Sequence, residues 1–405
     1  MSFTKAFPLE IQGEILSYLP VSDLKNCALA ARSWSIEASR LLWNSIKLDV
    51  TILGPVDLGI AGEKLSRFMN TLVLNVECAR YIHRLTMNMD ARFHRRIDLD
   101  NLGDSSSFLD ISWEVIHEAF SHLNRLQYLE LQGRLLSPQF VRYLYETLST
   151  APIRAIYTIA PIETLDRCCS IWASSITDLL IADLPMGKCP ELPCLPHLRF
   201  LASDNIELDN EEVMLQTFVG SLECPTLEHI HFVLQVEDWF MHLNMADYVT
   251  FALETRPPST SNQALPALKS MRFELYNTDL DTTPSQPLRS DEQTSSNLKT
   301  EAGLRLSNWL WKGNHPPSLQ NFQLYSLGAA GDTPSTYRIV NLSAIRPFPV
   351  SGDPNVWEIT DSMEDVTLEP GTYVFASGLV HPLVRTANRA TLPVISDPDG
   401  VIRCI

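Results

Sequence analysis

The chain has 405 residues, 45% hydrophobic and 20% charged, which is the composition of a folded protein with core enough for two or three domains. A formal net charge of −17 argues against nucleic acid and anionic membranes as partners, because both are held by concentrated Lys and Arg. No apolar run approaches the roughly 20 residues of a membrane span, no signal-like segment opens the chain, and the eight cysteines follow no disulfide framework. The expectation is a soluble protein of the cytoplasm or nucleus.

The first fifty residues predict three short helices. Pro8 suits a first helical turn, where its missing N–H costs nothing. Ile11, Ile15, Leu16 and Leu19 then recur as one apolar stripe. Pro20 closes that helix, and Ser22 or Asp23 is placed to cap the next. Leu24, Cys27, Ala28 and Ala31 line the second helix, and Trp34, Ala38, Leu41 and Leu42 the third, ahead of Trp43. A segment this short does not fold on its own burial; below about 40 residues a chain needs staples or a partner.

In its order, spacing, prolines and tryptophans the segment resembles an F-box, the motif that binds the Skp adaptor of SCF-type cullin–RING ubiquitin ligases. The matching residues are Pro8, Leu9 and Glu10; Ile15, Leu16 and Leu19; Pro20, Asp23 and Leu24; Arg32, Ser33 and Trp34; and Leu42 and Trp43. The family usually opens Leu-Pro, where this chain has Phe7-Pro8, and favours Val-Cys where Ala30 and Ala31 stand. The resemblance implies adaptor contact through Pro8, Leu9, Ile15, Leu16, Leu19, Pro20 and Leu24, with Ile11, Trp34, Leu42 and Trp43 holding the helices together.

Further along, an apolar triplet at i, i+3 and i+5 recurs: Ile82-Leu85-Met87, Leu126-Leu129-Leu131, Ile176-Leu179-Ile181, Leu227-Ile230-Phe232, Leu268-Met271-Phe273 and Leu319-Phe322-Leu324, with partial copies at Ile153-Ile156 and Leu198-Leu201. Successive starts lie 44, 27, 23, 22, 29, 41 and 51 residues apart. Each triplet reads as a short strand, and the set resembles the degenerate leucine-rich repeats found behind F-boxes, whose usual period is about 20–29 residues. Trp113–Leu123, Gln139–Leu148, Glu211–Val219 and Ala302–Trp311 read as helices between strands. Residues 255–266 and 277–300, rich in Pro, Ser, Thr, Asn and Gln, read as mobile insertions that stretch the spacing. Val366–Glu369 with Thr372–Ala376 across Pro370-Gly371, and Val394–Ser396 with Val401–Cys404, predict two hairpins able to cap a repeat array.

Catalytic and metal motifs fare poorly. There is no G-x-S-x-G elbow, no phosphate-cradling P-loop and no G-x-G-x-x-G after a strand. Cys189, Cys194, His197, Cys224, His229 and His231 are the best metal candidates, but their spacing is not that of a zinc site, and His229 and His231 flank Ile230 on the outer side of a strand. Asp98, Asp100 and Gly103 begin like a calcium loop that Leu102 and Leu109 then break. Cys168-Cys169 reads as two buried thiols, and Asn341-Leu342-Ser343 as a chance glycosylation sequon.

The expected architecture is an α+β or α/β solenoid. It comprises a three-helix F-box at 1–50, an irregular repeat body for substrate at 51–336, and a β-rich C-terminal cap or small module at 337–405. The expected function is that of a non-enzymatic substrate-recognition subunit of a ubiquitin ligase, without catalytic, cofactor or metal residues. Its partners would be a Skp-type adaptor, through it a cullin, and a protein substrate. A scaffold that binds the adaptor outside any ligase, and an enzyme with an unrecognised site, are the competing readings.

Overall fold

The computed structural model describes residues 8–30, 32–52, 57–91, 113–132, 136, 138–158, 162–181, 194–207, 224–236, 265–277, 318–329, 336–346, 357–367, 394–396 and 402–404. The chain divides into two compact units, Met1–Ile176 and Thr177–Ile405. The expected helices Glu211–Val219 and Ala302–Trp311, the strand Thr372–Ala376, Cys189, the Asp98–Gly103 loop and nearly all of both insertions lie outside the described residues.

In the first unit, helices α1 (Leu9–Ser17), α2 (Val21–Ala30) and α3 (Arg32–Asn44) lead into strand β1 (Ser45–Ile52). There follow α4 (Asp57–Leu74), α5 (Val76–Ala79), β2 (Arg84–Ala91), α6 (Trp113–Ser121), β3 (Tyr128–Gln132), α7 (Pro138–Thr147), β4 (Ala155–Thr158) and α8 (Ile162–Trp172). The strands pair in chain order and all in parallel, Ser45 against Arg84, Arg84 against Tyr128 and Tyr128 against Ala155. Parallel neighbours need a crossover, and the helices supply it. Helices α6 and α7 fall where the apolar periodicity puts them, burying Ile116, Ala119 and Phe120, and Phe140, Val141 and Leu144. Strand β1 and helices α4, α5 and α8 are additions to the expected elements, although Leu65, Phe68, Met69 and Leu72 in α4 and Leu165, Cys168, Cys169 and Trp172 in α8 do recur at helical spacing.

In the second unit, β5 (Asp178–Ile181), β6 (Phe200–Glu207), β7 (His229–Val236), β8 (Ser270–Asn277) and β9 (Asn321–Ala329) are again parallel and in chain order. Strands β10 (Thr336–Ile345) and β11 (Glu358–Thr367) then turn antiparallel. Val366 lies near the end of β11, opposite Tyr337, and the rest of the first expected hairpin beyond Thr367 lies outside the described residues. A small antiparallel pair, β12 (Val394–Ser396) and β13 (Ile402–Cys404), falls on the second expected hairpin.

The triplets line the interior of both units. Ile82, Leu85, Met87, Leu126, Leu129, Leu131, Ile176, Leu179 and Ile181 are buried, as are Leu227, Ile230, Phe232, Leu268, Met271, Phe273, Leu319 and Phe322. Where the third place is polar it is still inside. Thr158 is buried against the Tyr145 hydroxyl at 3.0 Å, and Ser203 is buried beside a register shift in β6. Rings meet from strand to strand, edge-to-face for Phe232–Phe273 with centroids 6.0 Å apart and tilted for Phe273–Phe322, also at 6.0 Å.

One backbone device repeats at the start of successive strands. The carbonyl just ahead of a strand accepts two N–H groups from the next copy: Gln127 from Arg154 and Ala155 at 2.8 and 3.0 Å, Arg199 from Glu228 and His229 at 2.8 and 2.9 Å, Glu228 from Lys269 and Ser270 at 2.8 and 3.0 Å. A second device sits one residue before the triplet. The hydroxyls of Ser175, Thr226 and Ser318 donate to the carbonyls of Ile153, Leu198 and Leu268, each the first triplet residue of the preceding copy. Tight turns open three copies in the second unit, with the N–H of Leu198, Leu227 and Leu268 bonded to the carbonyl of Leu195, Cys224 and Leu265. Pro196, Pro225 and Pro266 occupy the second turn position, where a fixed φ is already correct. The buried residue before each proline is therefore a fourth anchor, three positions ahead of the triplet.

Candidate functional site

The N-terminal helices build a surface on a core of their own. Pro8 precedes α1 in an extended conformation, and its carbonyl takes the N–H of Gln12 at 3.0 Å. Pro20 plays the same part for α2, accepting from Asp23 and Leu24 at 2.9 and 3.0 Å. Helix α2 therefore begins at Val21, two or three residues earlier than a Ser22 or Asp23 cap requires. Both lie inside its first turn, where the Asp23 charge favours the positive end of the helix.

Leu16, Leu24 and Ala38 form the buried centre, with Leu19, Cys27, Ala28, Trp34, Leu41 and Leu42 packed around it. Helix α1 crosses α3 at Gly13, where a Cβ would collide with the Glu37 carboxylate. That carboxylate is fixed by Arg40, whose Nε lies 2.9 Å from each oxygen. A larger residue at position 13 would push the helices apart or displace the ion pair.

The phase of α1 divides the sequence-expected residues differently from the stripe read along it. Leu16 is 0% exposed and Leu24 7%, so both face the core rather than an external adaptor. Ile11, expected in the core, is 41% exposed, and Ile15 is 40% exposed. Tyr18 and Val21 are also exposed. The reason is geometric: at 100° per residue, Ile11, Ile15 and Tyr18 fall on one side of the helix, and Gln12 and Leu16 on the other. Pro8 and Pro20 are exposed, Leu19 and Trp43 half-buried, and Leu9 lies in α1. Tyr18 caps α1 in a helical conformation and so keeps the face of Ile15 three residues before it, and Val21 opens α2.

The module is joined to the sheet without a linker. Helix α3 ends at Asn44 and β1 starts at Ser45, and the Asn44 carbonyl accepts the N–H of His83 at 2.9 Å just ahead of β2. The surface on α1 therefore sits on the same compact unit as β1–β4.

Elsewhere, the groups that carry chemistry are occupied structurally. Cys168 and Cys169 are buried in α8, and burial pushes the Cys168 thiol well above its ordinary range. Cys224 is buried and Cys194 exposed. Among the described residues no group of three His, Cys, Asp or Glu is disposed to hold a metal ion. Glu130 is fully buried on β3, yet accepts from the Thr86 hydroxyl at 2.9 Å, the Tyr128 hydroxyl at 3.1 Å and the Gln132 amide. Arg84 lies 3.8 Å from the same carboxylate and 4.1 Å above the Tyr128 ring. At the strand starts of the second unit, Glu228 is gripped by Arg199 and Lys269 at 3.1 Å each. The Arg199 hydrogen bonds hold its carboxyl down to about 2. No helix among the described residues is long and apolar enough to cross a membrane.

Comparison with known proteins agrees with the N-terminal reading and leaves the body open. Residues 6–49 match the F-box-like family. No curated protein matches the sequence. Among solved structures, the leucine-rich repeat-containing protein LegL7 from Legionella pneumophila is similar at 12% identity, covering 69% of this chain and 91% of that one, with a TM-score of 0.35.

Proposed function

We propose that this chain is a substrate-recognition subunit of an SCF-type cullin–RING ubiquitin ligase. Helices α1–α3 would bind a Skp-type adaptor, and through it a cullin, while the body holds a protein substrate. The carrying observation is the exposed apolar side of α1, set on an independent small core within the residues that match the F-box-like family. Exposed apolar side chains in a row on one helix are the usual mark of a partner surface. The contact set proposed is Pro8, Leu9, Ile15, Leu19 and Pro20, joined by Ile11, Tyr18 and Val21. Leu16 and Leu24 support it from inside, with Trp34 and Leu42, while Trp43 joins the helices to β1.

In this reading the function is positional. A target lysine held near a ubiquitin thioester gains effective concentration without any catalytic group on this chain. The seamless α3–β1 connection suits that role, since it leaves no hinge between docking module and first strands. The module is taken as residues 1–50, the substrate body as a degenerate leucine-rich-repeat solenoid over 51–336, and residues 337–405 as its C-terminal cap, acting in the cytoplasm or nucleus. The test is co-purification of the full chain with a Skp-type adaptor and cullin, followed by detection of ubiquitin conjugates in the same complex. Adaptor without cullin or conjugates would favour a scaffold; no adaptor at all would end the reading.

A further inference from the structure

We infer that Glu37 and Arg40 of α3 are positioning residues for the docking face: their ion pair seats α1 from behind and so sets how tightly the adaptor is held. The inference rests on the proposed role of α1–α3 in adaptor binding. It names two residues that tune that site, neither of them in the contact set.

The docking face is built from two helices. Ile11, Ile15 and Tyr18 stand exposed along α1, and Val21 at the start of α2. Helices α2 and α3 pack together as a pair, and α1 packs on α3. The shape of the face therefore depends on where α1 sits on α3. At about 3.6 residues per turn, Gly13 lies roughly 140–160° round α1 from Ile11, Ile15 and Tyr18. The closest approach of α3 is thus on the side of α1 that faces away from the adaptor.

What α3 presents there is a carboxylate, not an apolar side chain. Glu37 fills the space that a Cβ on Gly13 would need, with its Cδ 3.2 Å and its Cγ 3.5 Å from that point. The Glu37 side chain is therefore the spacer between the two helices, standing in for the one that position 13 lacks. It is only 13% exposed, and the Arg40 Nε lies 2.9 Å from each of its oxygens. A guanidinium fork holds a carboxylate in orientation as well as in place. Arg40 itself is 42% exposed, so the charge at the helix contact is compensated from the solvent edge. Removing Arg40 strands a nearly buried carboxylate against the α1 backbone.

Two points fix the direction of a rod, and one leaves it free to swing. Leu16, in the core with Leu24 and Ala38, holds one point of α1. The Gly13–Glu37 contact holds the second, about one turn earlier. A displacement of about 1 Å at Gly13, roughly 4.5 Å along the axis from Leu16, swings Ile11 by about 1.7 Å. Tyr18, on the other side of the pivot, moves the opposite way, while Val21 stays with α2. A docked interface is packed like a protein interior, and a gap of about 1 Å forfeits up to half of each contact's dispersion energy. The ion pair therefore acts on the adaptor through the shape of the face and touches no group on the partner.

The test uses the full chain and a purified Skp-type adaptor, with urea melts giving the unfolded fraction of each chain under the assay conditions. Arg40→Gln and Glu37→Ala are expected to weaken the complex about tenfold, chiefly through faster dissociation. Arg40→Lys, which keeps the charge without the fork, is expected to lose less. Adding Gly13→Ala to Glu37→Ala puts a methyl where the spacer was and is expected to recover most of the affinity. A role in stability alone predicts instead that affinity falls only by the unfolded fraction. A second readout needs no adaptor. Cys27 is half-buried against the core that holds Leu16, and its alkylation is expected to run several-fold faster in Arg40→Gln and Glu37→Ala and near the parent rate in the Gly13→Ala/Glu37→Ala chain. Affinities that follow only the unfolded fraction, or a Cys27 rate indifferent to both single substitutions, overturn the inference. Failure of the parent chain to bind the adaptor removes the ligase reading instead, and the Cys27 rates alone then decide whether the pair seats α1.

Discussion

The phase of α1 gives the sharpest prediction, because neighbouring residues on it should fail in opposite ways. Leu16 is wholly buried among Leu24, Ala38 and their neighbours. Leu16→Ala should therefore destabilise the helical module by about 2–5 kcal/mol, the usual loss for a leucine cavity. Ile15 is 40% exposed, so Ile15→Asp should change folding by only about 0.5 kcal/mol. At a docked adaptor the balance reverses. Covering the exposed part of Ile15 is worth about 1 kcal/mol, whereas desolvating an unpaired aspartate there costs several kcal/mol, and the charge dominates. A combined penalty of about 4 kcal/mol corresponds to a thousandfold weaker complex. The assay pairs adaptor titration with hydrogen exchange over residues 8–44. Ile15→Asp should lose the adaptor with unchanged protection, and Leu16→Ala should lose protection first. An Ile15→Asp chain that keeps its adaptor, or a Leu16→Ala chain protected as the parent is, would refute the assignment of faces.

Three further outcomes follow from the same coordinates. Gly13→Ala should gain little or lose stability in the parent, where the new methyl displaces Glu37 from Arg40, but should gain roughly 0.5–1 kcal/mol of helix propensity in a Glu37→Ala background, a difference read from urea melts of the four chains. Glu228, held at about 2 against an ordinary 4.5, has a lowered folded-state pKa, so its contribution is complete above 4.5 and is lost as pH falls towards 2; Glu228→Gln should flatten that part of the stability–pH curve. Native alkylation should label Cys194 quickly and spare Cys168, Cys169 and Cys224 until denaturant is added, as mass spectrometry of the labelled peptides would report.

Much of the architecture was legible because it is local. The i, i+3, i+5 triplets mark strands since period-two alternation survives any partner, and all but Leu324 of their members are fully buried in the two units. Helices α6 and α7 declared themselves by an apolar face, and the N-terminal module by its prolines and tryptophans. The fourth anchor was also present in the sequence, as a buried residue before Pro196, Pro225 and Pro266, and went unread because only the apolar spacing was counted.

What the sequence by itself determined is which segments become helices and strands and which of their residues are apolar enough to require burial. Only the tertiary structure decided which apolar residues remain outside. Ile15 and Leu16 are adjacent and equally hydrophobic, and nothing in their spacing ranks them. The approach of α3 at Gly13 rotates Leu16 inward and leaves Ile15 in solvent. Likewise, His231, Arg272, Gln323 and Ser343 are scattered over 113 positions of the chain and become one row only when parallel and antiparallel pairing set them side by side. Local periodicity is a property of the chain; the choice of face and the meeting of distant side chains depend on contacts that exist only after folding.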